Sequence, residues 1–242
     1  PFPDWEIFDE RHLIKPFWGE VYRFGYFEMG RGCPYSCPFC VNSFLHQIYK
    51  GKGKYHREKS VERIIEEMKY YKEKYHFNFV QFTDETLLAL DKKKLLKFTI
   101  MYKKYINVPL YMMTRPETID EEKVQMISGM DLCKTIGIGL ESGNEEIRHS
   151  VCKKYFTNKN ILDMYKLFKK YGLRITTYNM IGLPYETREQ IFDTIRLNKK
   201  IKSKPCIVYF FYPFKGTPLR DLCDENGYLE KNRGFLLWPL RV

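Results

Sequence analysis

Residues 24–40 read Phe24-Gly25-Tyr26-Phe27-Glu28-Met29-Gly30-Arg31-Gly32-Cys33-Pro34-Tyr35-Ser36-Cys37-Pro38-Phe39-Cys40: an apolar stretch running straight into a loop of three cysteines. The first six residues have the length and aromatic content of a buried strand, and the glycines and prolines that follow mark a loop. The same kind of segment recurs downstream at 77–82, 108–113, 135–140, 175–181 and 207–212. Amphipathic helices separate these segments. One spans 61–75, with Ile64, Ile65, Met68, Tyr71 and Tyr75 on one face and Ser60 as its N-cap. Another starts near Asp91 and carries Leu95, Phe98, Tyr102 and Tyr105 at helical spacing.

A short helix is expected after Asp120, and helical segments over 145–171 with Gly172 as their stop. Thr187-Arg188-Glu189-Gln190 has the spacing of a capping box and opens the next helix. Strands alternating with helices build βαβ units, and their crossovers are right-handed almost without exception. Six consecutive units therefore predict an α/β chain, a partial (β/α)6 TIM-like barrel with parallel strands. In such a barrel the chemistry sits at the carboxyl ends of the strands.

With 242 residues, 44% of them apolar and 17% aromatic, the chain can bury one sizeable core. Its formal charge of +11 is spread along helices, as at Lys92-Lys93-Lys94 and Lys169-Lys170, which describes a solvated face and argues against a nucleic-acid partner. No apolar run is long enough to span a bilayer, and the first residues do not resemble a signal peptide, so a cytoplasmic protein is expected. Seven cysteines with three tightly clustered favour metal ligation in a reducing compartment over a disulfide framework. Cys133, Cys152, Cys206 and Cys223 show no ligand-like spacing and are read as packing or incidental residues.

Cys33, Cys37 and Cys40 are spaced C-x3-C-x2-C. Iron–sulfur clusters normally take four protein thiolates, so three leave one iron open to another ligand. The competing assignment is a zinc site completed by His46. Zinc knuckles, however, are small autonomous modules, whereas these cysteines leave the first strand of a large barrel.

Cysteines at this spacing, with an aromatic residue before the last one and directly after the first barrel strand, resemble the radical S-adenosylmethionine (SAM) superfamily signature. The resemblance implies a [4Fe–4S] cluster on Cys33, Cys37 and Cys40, with SAM bound through its amino and carboxylate groups at the open iron. An electron then splits the sulfonium bond to give methionine and a 5′-deoxyadenosyl radical. Phe39 would lie near adenine. Further segments match in order after the later strands. Thr83-Asp84-Glu85 stands where the family holds the SAM amino group, Asp84 and Glu85 being otherwise a helix-capping pair. Arg115 would pair with the SAM carboxylate, or is a surface arginine. Gly137 to Gly143 resembles the ribose-binding strand, in which Glu141 and Ser142 would bond ribose hydroxyls or the methionine end. Gly182, Leu183 and Pro184 match the segment that packs near adenine, and equally describe a strand-to-helix turn. The loop 212–218 is family-like and placed to close over adenine.

The opening Pro1-Phe2-Pro3-Asp4-Trp5-Glu6, taken with Gly139 to Glu146 and the later Gly182-Leu183-Pro184, is similar to the cobalamin-binding subclass. That likeness implies a linker over 1–22 from an amino-terminal cobalamin-binding domain, a radical SAM core over 23–228 and the start of a carboxyl-terminal extension over 229–242. The implied activity is SAM cleavage followed by modification of a small-molecule or peptide substrate, with methyl transfer through cobalamin foremost. Flavodoxin or ferredoxin would donate the electron. Alternatives are a methylthiotransferase, a ring-forming cyclase, or a non-catalytic Fe–S or zinc-binding scaffold.

Overall fold

The computed structural model describes residues 1–229. The rest of the stretch expected to open a carboxyl-terminal extension, 230–242, lies outside the described residues. Strand β1 (Ile14–Phe17) turns into β2 (Glu20–Phe27), and a short β3 (Gly30–Arg31) precedes the cysteine loop. Then come α1 (Val41–Tyr49), β4 (Arg57–Glu58), α2 (Val61–Tyr75), β5 (Phe79–Phe82), α3 (Lys92–Tyr105), β6 (Leu110–Thr114) and α4 (Glu121–Gly129). The remainder is β7 (Cys133–Glu141), α5 (Glu145–Ser150), α6 (Asn158–Lys170), β8 (Arg174–Ile181), α7 (Arg188–Lys200), β9 (Cys206–Phe210) and α8 (Pro218–Glu225).

The hydrogen-bonded strand order is β1-β2-β5-β6-β7-β8-β9, with β3 and β4 as a separate ribbon. Pairing is parallel at β2–β5, β5–β6, β6–β7 and β8–β9, and antiparallel only at β1–β2 and β3–β4 among the described pairs. The six strands expected from sequence are present in the expected order, and the α/β, mostly parallel fold class of a partial (β/α) barrel holds. Caps do the local work. Ser60 Oγ accepts from Arg63 N at 3.1 Å, and Thr187 with Gln190 closes a complete capping box.

The helical segments expected over 145–171 are α5 and α6, with Lys153 at φ 51° between them. Two features were not expected. Residues Trp18 and Gly19, both at positive φ, form a two-residue reversal that adds β1 as an antiparallel edge and starts β2 at Glu20. Helix α8 follows the loop 212–218, started by Thr217 as N-cap and Pro218 in its first turn.

The chain forms two compact units. The first comprises Pro1–Arg31, Arg57–Ile138 and Met164–Ile175. One aromatic cluster joins Phe24, Phe79 and Tyr111, with Phe17 and Tyr22 against it, while Ile64 and Met68 of α2 and Phe98 and Tyr102 of α3 are fully buried. Trp5 stacks on Tyr71 at 4.3 Å, so the first residues pack on α2. The second unit comprises Gly32–His56, Gly139–Asp163 and the chain from Thr176 onward. Its core gathers Ile147, Val151, Cys152, Leu183, Phe211, Leu219 and Cys223.

Candidate functional site

The cysteine loop lies in the second unit. Gly32 enters at φ 80°, and a Cβ there would stand 2.8 Å from the carbonyl oxygen of Tyr55, so glycine is required. Cys33 is buried, while Cys37 and Cys40 are partly exposed. Cys40 N donates to Cys37 O at 3.0 Å, folding the last two cysteines into one turn. Cys40 is the N-cap of α1, and Asn42 Nδ2 approaches its Sγ at 3.5 Å.

Among the described residues no group of three or more His, Cys, Asp or Glu side chains stands ready to hold a metal ion. The fit therefore rests on donor chemistry: three soft thiols within eight residues, one at a helix start, suit an iron–sulfur cluster. His46 Nε2 donates to the Cys33 carbonyl at 2.7 Å, so its imidazole is oriented by the cysteine loop and Nδ1 keeps the lone pair.

Around this loop the second unit assembles several sequence-predicted residues. Phe39 packs against the apolar cluster that contains Leu183. Leu219 N, in the first turn of α8, donates to Pro38 O at 3.1 Å, and a Cβ on Gly216 would lie 2.5 Å from the Phe44 ring. The loop 212–218 thus packs on α1 beside the cysteines. At the end of β8, Glu186 Oε2 accepts from Gly182 N at 2.8 Å and from Leu183 N at 3.3 Å, tying down the Gly182-Leu183-Pro184 turn. Burial raises the Glu186 carboxyl above its ordinary range, and those two amides and Ser142 partly oppose it.

Glu141, at the end of β7, has φ 65° and pairs with buried Lys154 at 2.7 Å. Lys154 Nζ also donates to Gly139 O at 2.8 Å. Ser142 is fully buried; its Oγ accepts from Asn144 N and its carbonyl from Arg148.

The remaining predicted residues belong to the first unit. Asp84 is buried, and its two oxygens accept from Met29 N at 3.0 Å and Gly30 N at 2.6 Å. Burial pushes its carboxyl up to about 6, outweighing those two amides. It thereby anchors the chain just ahead of the first cysteine. Glu85 is exposed. Arg115 is buried after β6 and pairs with Glu117 at 2.5 Å. Its backbone is fixed by a hydroxyl chain, Thr86 to Thr114 at 3.0 Å, Thr114 to Thr118 at 2.6 Å, and Thr118 Oγ1 to Arg115 O at 2.7 Å.

Sequence reasoning missed Arg148, Lys154, Asn158 and Glu186. The Lys and Arg among them sit in charged stretches that read as solvated faces, and only the Asn144 cap, three residues before Ile147, hinted at order there.

A family model described as the radical SAM superfamily matches residues 27–197. The chain is 31% identical over 207 residues to an uncharacterized methyltransferase, PH0819, of Pyrococcus horikoshii, across 85% of this chain and 43% of that protein. It is 25% identical over 211 residues to the tRNA-2-methylthio-N(6)-dimethylallyladenosine synthase of Anoxybacillus flavithermus, across 80% of this chain and 37% of that enzyme. The chain thus spans less than half the length of these relatives. Among solved structures, TsrM from Kitasatospora setae, a radical SAM methyltransferase with cobalamin and a [4Fe–4S] cluster bound, superposes with a TM-score of 0.70 at 16% identity, over 85% of this chain and 37% of that one. The cobalamin-dependent SAM radical enzyme OxsB superposes with a TM-score of 0.64 at 13% identity, over 83% and 35%. At these identities the two structures share the fold.

Proposed function

The chain belongs to the radical SAM superfamily, and from that premise we propose that it is the catalytic core of an enzyme that cleaves SAM reductively and transfers a methyl group with the help of cobalamin. The observation that carries the reading is the cysteine loop, three thiols within eight residues with Cys40 capping α1. Cys33, Cys37 and Cys40 would hold the cluster. When bound, the cluster supplies the electron that splits the SAM sulfonium bond into methionine and a 5′-deoxyadenosyl radical. A flavodoxin or ferredoxin type of donor would reduce it, and the substrate would be a small molecule or peptide.

The chain's own residues bind and orient. Phe39 and Leu183, packed on one apolar cluster, would offer adenine an apolar wall. Glu141 would bond the ribose or methionine end, from a turn fixed by buried Lys154 and Arg148, while Ser142, fully buried with its hydroxyl on Asn144 N, would shape that turn rather than touch the ligand. Arg115 has the planar fork that grips a carboxylate bidentately, and Glu117 is the carboxylate that now holds it. Asp84 holds the backbone ahead of the cysteines rather than offering a bare carboxylate, leaving exposed Glu85 as the freer acid for an amino group.

Methyl transfer is supported by the archaeal relative named as a methyltransferase, and cobalamin by the fold shared with TsrM and OxsB. Anaerobic reconstitution, reduction and addition of SAM should release 5′-deoxyadenosine. A cluster-loaded sample that makes none refutes the cleavage reading. Cobalamin absorption bands in the natural full-length protein would support the subclass, and their absence from protein grown with cobalamin would move the assignment toward methylthiotransfer.

A further inference from the structure

Arg148 on α5 has no solvent exposure, and burying a guanidinium is costly unless its donors are used. They are used, but mostly on backbone. Nη1 donates to Ser142 O at 2.7 Å, Nε to Phe156 O at 3.1 Å and Nη2 to Asn158 Oδ1 at 2.8 Å, while the group lies 4.6 Å from the centre of the Phe156 ring. The Glu145 carboxylate stands at 4.0 Å and is itself 41% exposed. The three short bonds fix geometry.

What they fix is the turn after β7. Glu141 sits at φ 65°, a left-handed conformation that a non-glycine residue keeps only when its surroundings hold it there. Gly143 N donates to Thr194 Oγ1 at 2.7 Å, and a Cβ on Gly143 would fall 2.4 Å from Thr194 Cα, so the turn lies flush on α7. Its two outward carbonyls, of Ser142 and Gly143, are taken by Arg148 and by Asn158 Nδ2 at 3.0 Å. Asn158 is in turn oriented by Arg148. One guanidinium thus sets both.

We infer that Arg148 is a positioning residue for SAM, holding the Glu141-Ser142-Gly143 turn in the shape that presents Glu141 to the nucleoside. The inference rests on the SAM reading of this turn given above. A guanidinium present only to stabilise the fold would affect unfolding without changing the affinity of the folded protein.

The test uses cluster-reconstituted protein, parent and Arg148→Lys, with anaerobic calorimetric titration of SAM, hydrogen exchange over residues 140–146 before SAM is added, iron content, and urea midpoints. A lysine keeps the charge but cannot span three acceptors. In the folded variant SAM binding should weaken by about tenfold or more, as for a lost charge-assisted hydrogen bond. Exchange at the Gly143 and Asn144 amides should quicken, and iron per chain should stay at the parent value. If Arg148→Lys does not fold, Asn158→Ala carries the test, because it frees the Gly143 carbonyl and leaves Arg148 in place. SAM affinity within about twofold of the parent in either folded variant overturns the inference. A fully loaded parent that binds no SAM overturns the SAM reading itself, a different result from a parent that binds and a variant that binds equally well.

Discussion

Asp84 makes a sharp prediction about pH. Its carboxyl is raised from 3.8 to about 6 by burial, against the pull of the Met29 and Gly30 amides and its own. A carboxyl whose folded pKa is raised binds its proton more tightly in the folded chain than in the unfolded one. Its contribution to stability is therefore fully present below the unfolded pKa and is lost as pH rises through about 6. A shift of roughly two units corresponds to ~3 kcal/mol at the limit, of which ~2 kcal/mol should appear between about pH 7.5 and pH 4.5.

Other carboxylates titrate in the same window, so the comparison must be a difference of differences. Asp84→Asn keeps the shape and removes the titration, while turning one amide donor toward the Asn NH₂. Urea unfolding of parent and variant, followed by tryptophan fluorescence at a series of pH values, isolates the residue. The parent should gain ~2 kcal/mol on the variant as pH falls through that range. A gap that stays flat, or that moves the other way because the amides hold the carboxyl down, refutes the claim that burial dominates.

Further outcomes follow from other contacts. Cys37→Ala should lose the brown chromophore and most of its iron after reconstitution; iron at full stoichiometry removes Cys37 from the ligand set. Gly143→Ala drives a methyl into the α7 backbone at 2.4 Å and should cost about 1–3 kcal/mol or more, whereas Gly129→Ala meets nothing within 4 Å and should be neutral or better, a contrast read from urea midpoints. Lys154→Met strands the Glu141 carboxylate, 12% exposed, and should destabilise by ~3–5 kcal/mol, with Lys154→Met/Glu141→Gln recovering part; an additive pair would show that the two are not coupled. Thr187→Ala removes the side-chain half of the capping box, leaves the backbone amide at 187 on Gln190 Oε1, and should lower stability by about 1 kcal/mol, checked by thermal and urea unfolding.

Where the sequence could be read, the reason was local. Ser60 and Thr187 announce their helices because a cap needs only neighbours three residues away, and β5, β6 and β7 announce themselves as apolar runs because both their faces are largely covered. The three cysteines are legible for the same reason: their chemistry is written in one loop. The β1–β2 turn was missed because Trp18 is an uncommon residue at positive φ, although Gly19 beside it was a signal. Helix α8 was missed although Thr217-Pro218 is a helix start by its own chemistry. Arg148 and Lys154 were hidden for a deeper reason. Nothing within helical reach tells a buried cation from a solvated one, since the acceptors at Ser142 and Gly139 come from another element.

The buried charges beside the strand ends share one logic. Where a parallel strand ends, its ladder of hydrogen bonds ends too, and the next backbone groups need other partners if the turn is buried. Here ionised side chains supply them by sign. Carboxylates take amides: Asp84 those of Met29 and Gly30 after β2, Glu186 those of Gly182 and Leu183 after β8. Cations take carbonyls: Lys123 that of Leu88 after β5, Lys154 that of Gly139 within β7, Arg148 that of Ser142 just beyond it. All five side chains are at most 9% exposed. Buried charges are poor stabilisers on balance, so a chain optimised only for stability would fill these positions with apolar residues and let the turns relax. Keeping a charge at each of these turns, at the end of the strands where barrel chemistry occurs, makes sense only if the turn conformations themselves matter.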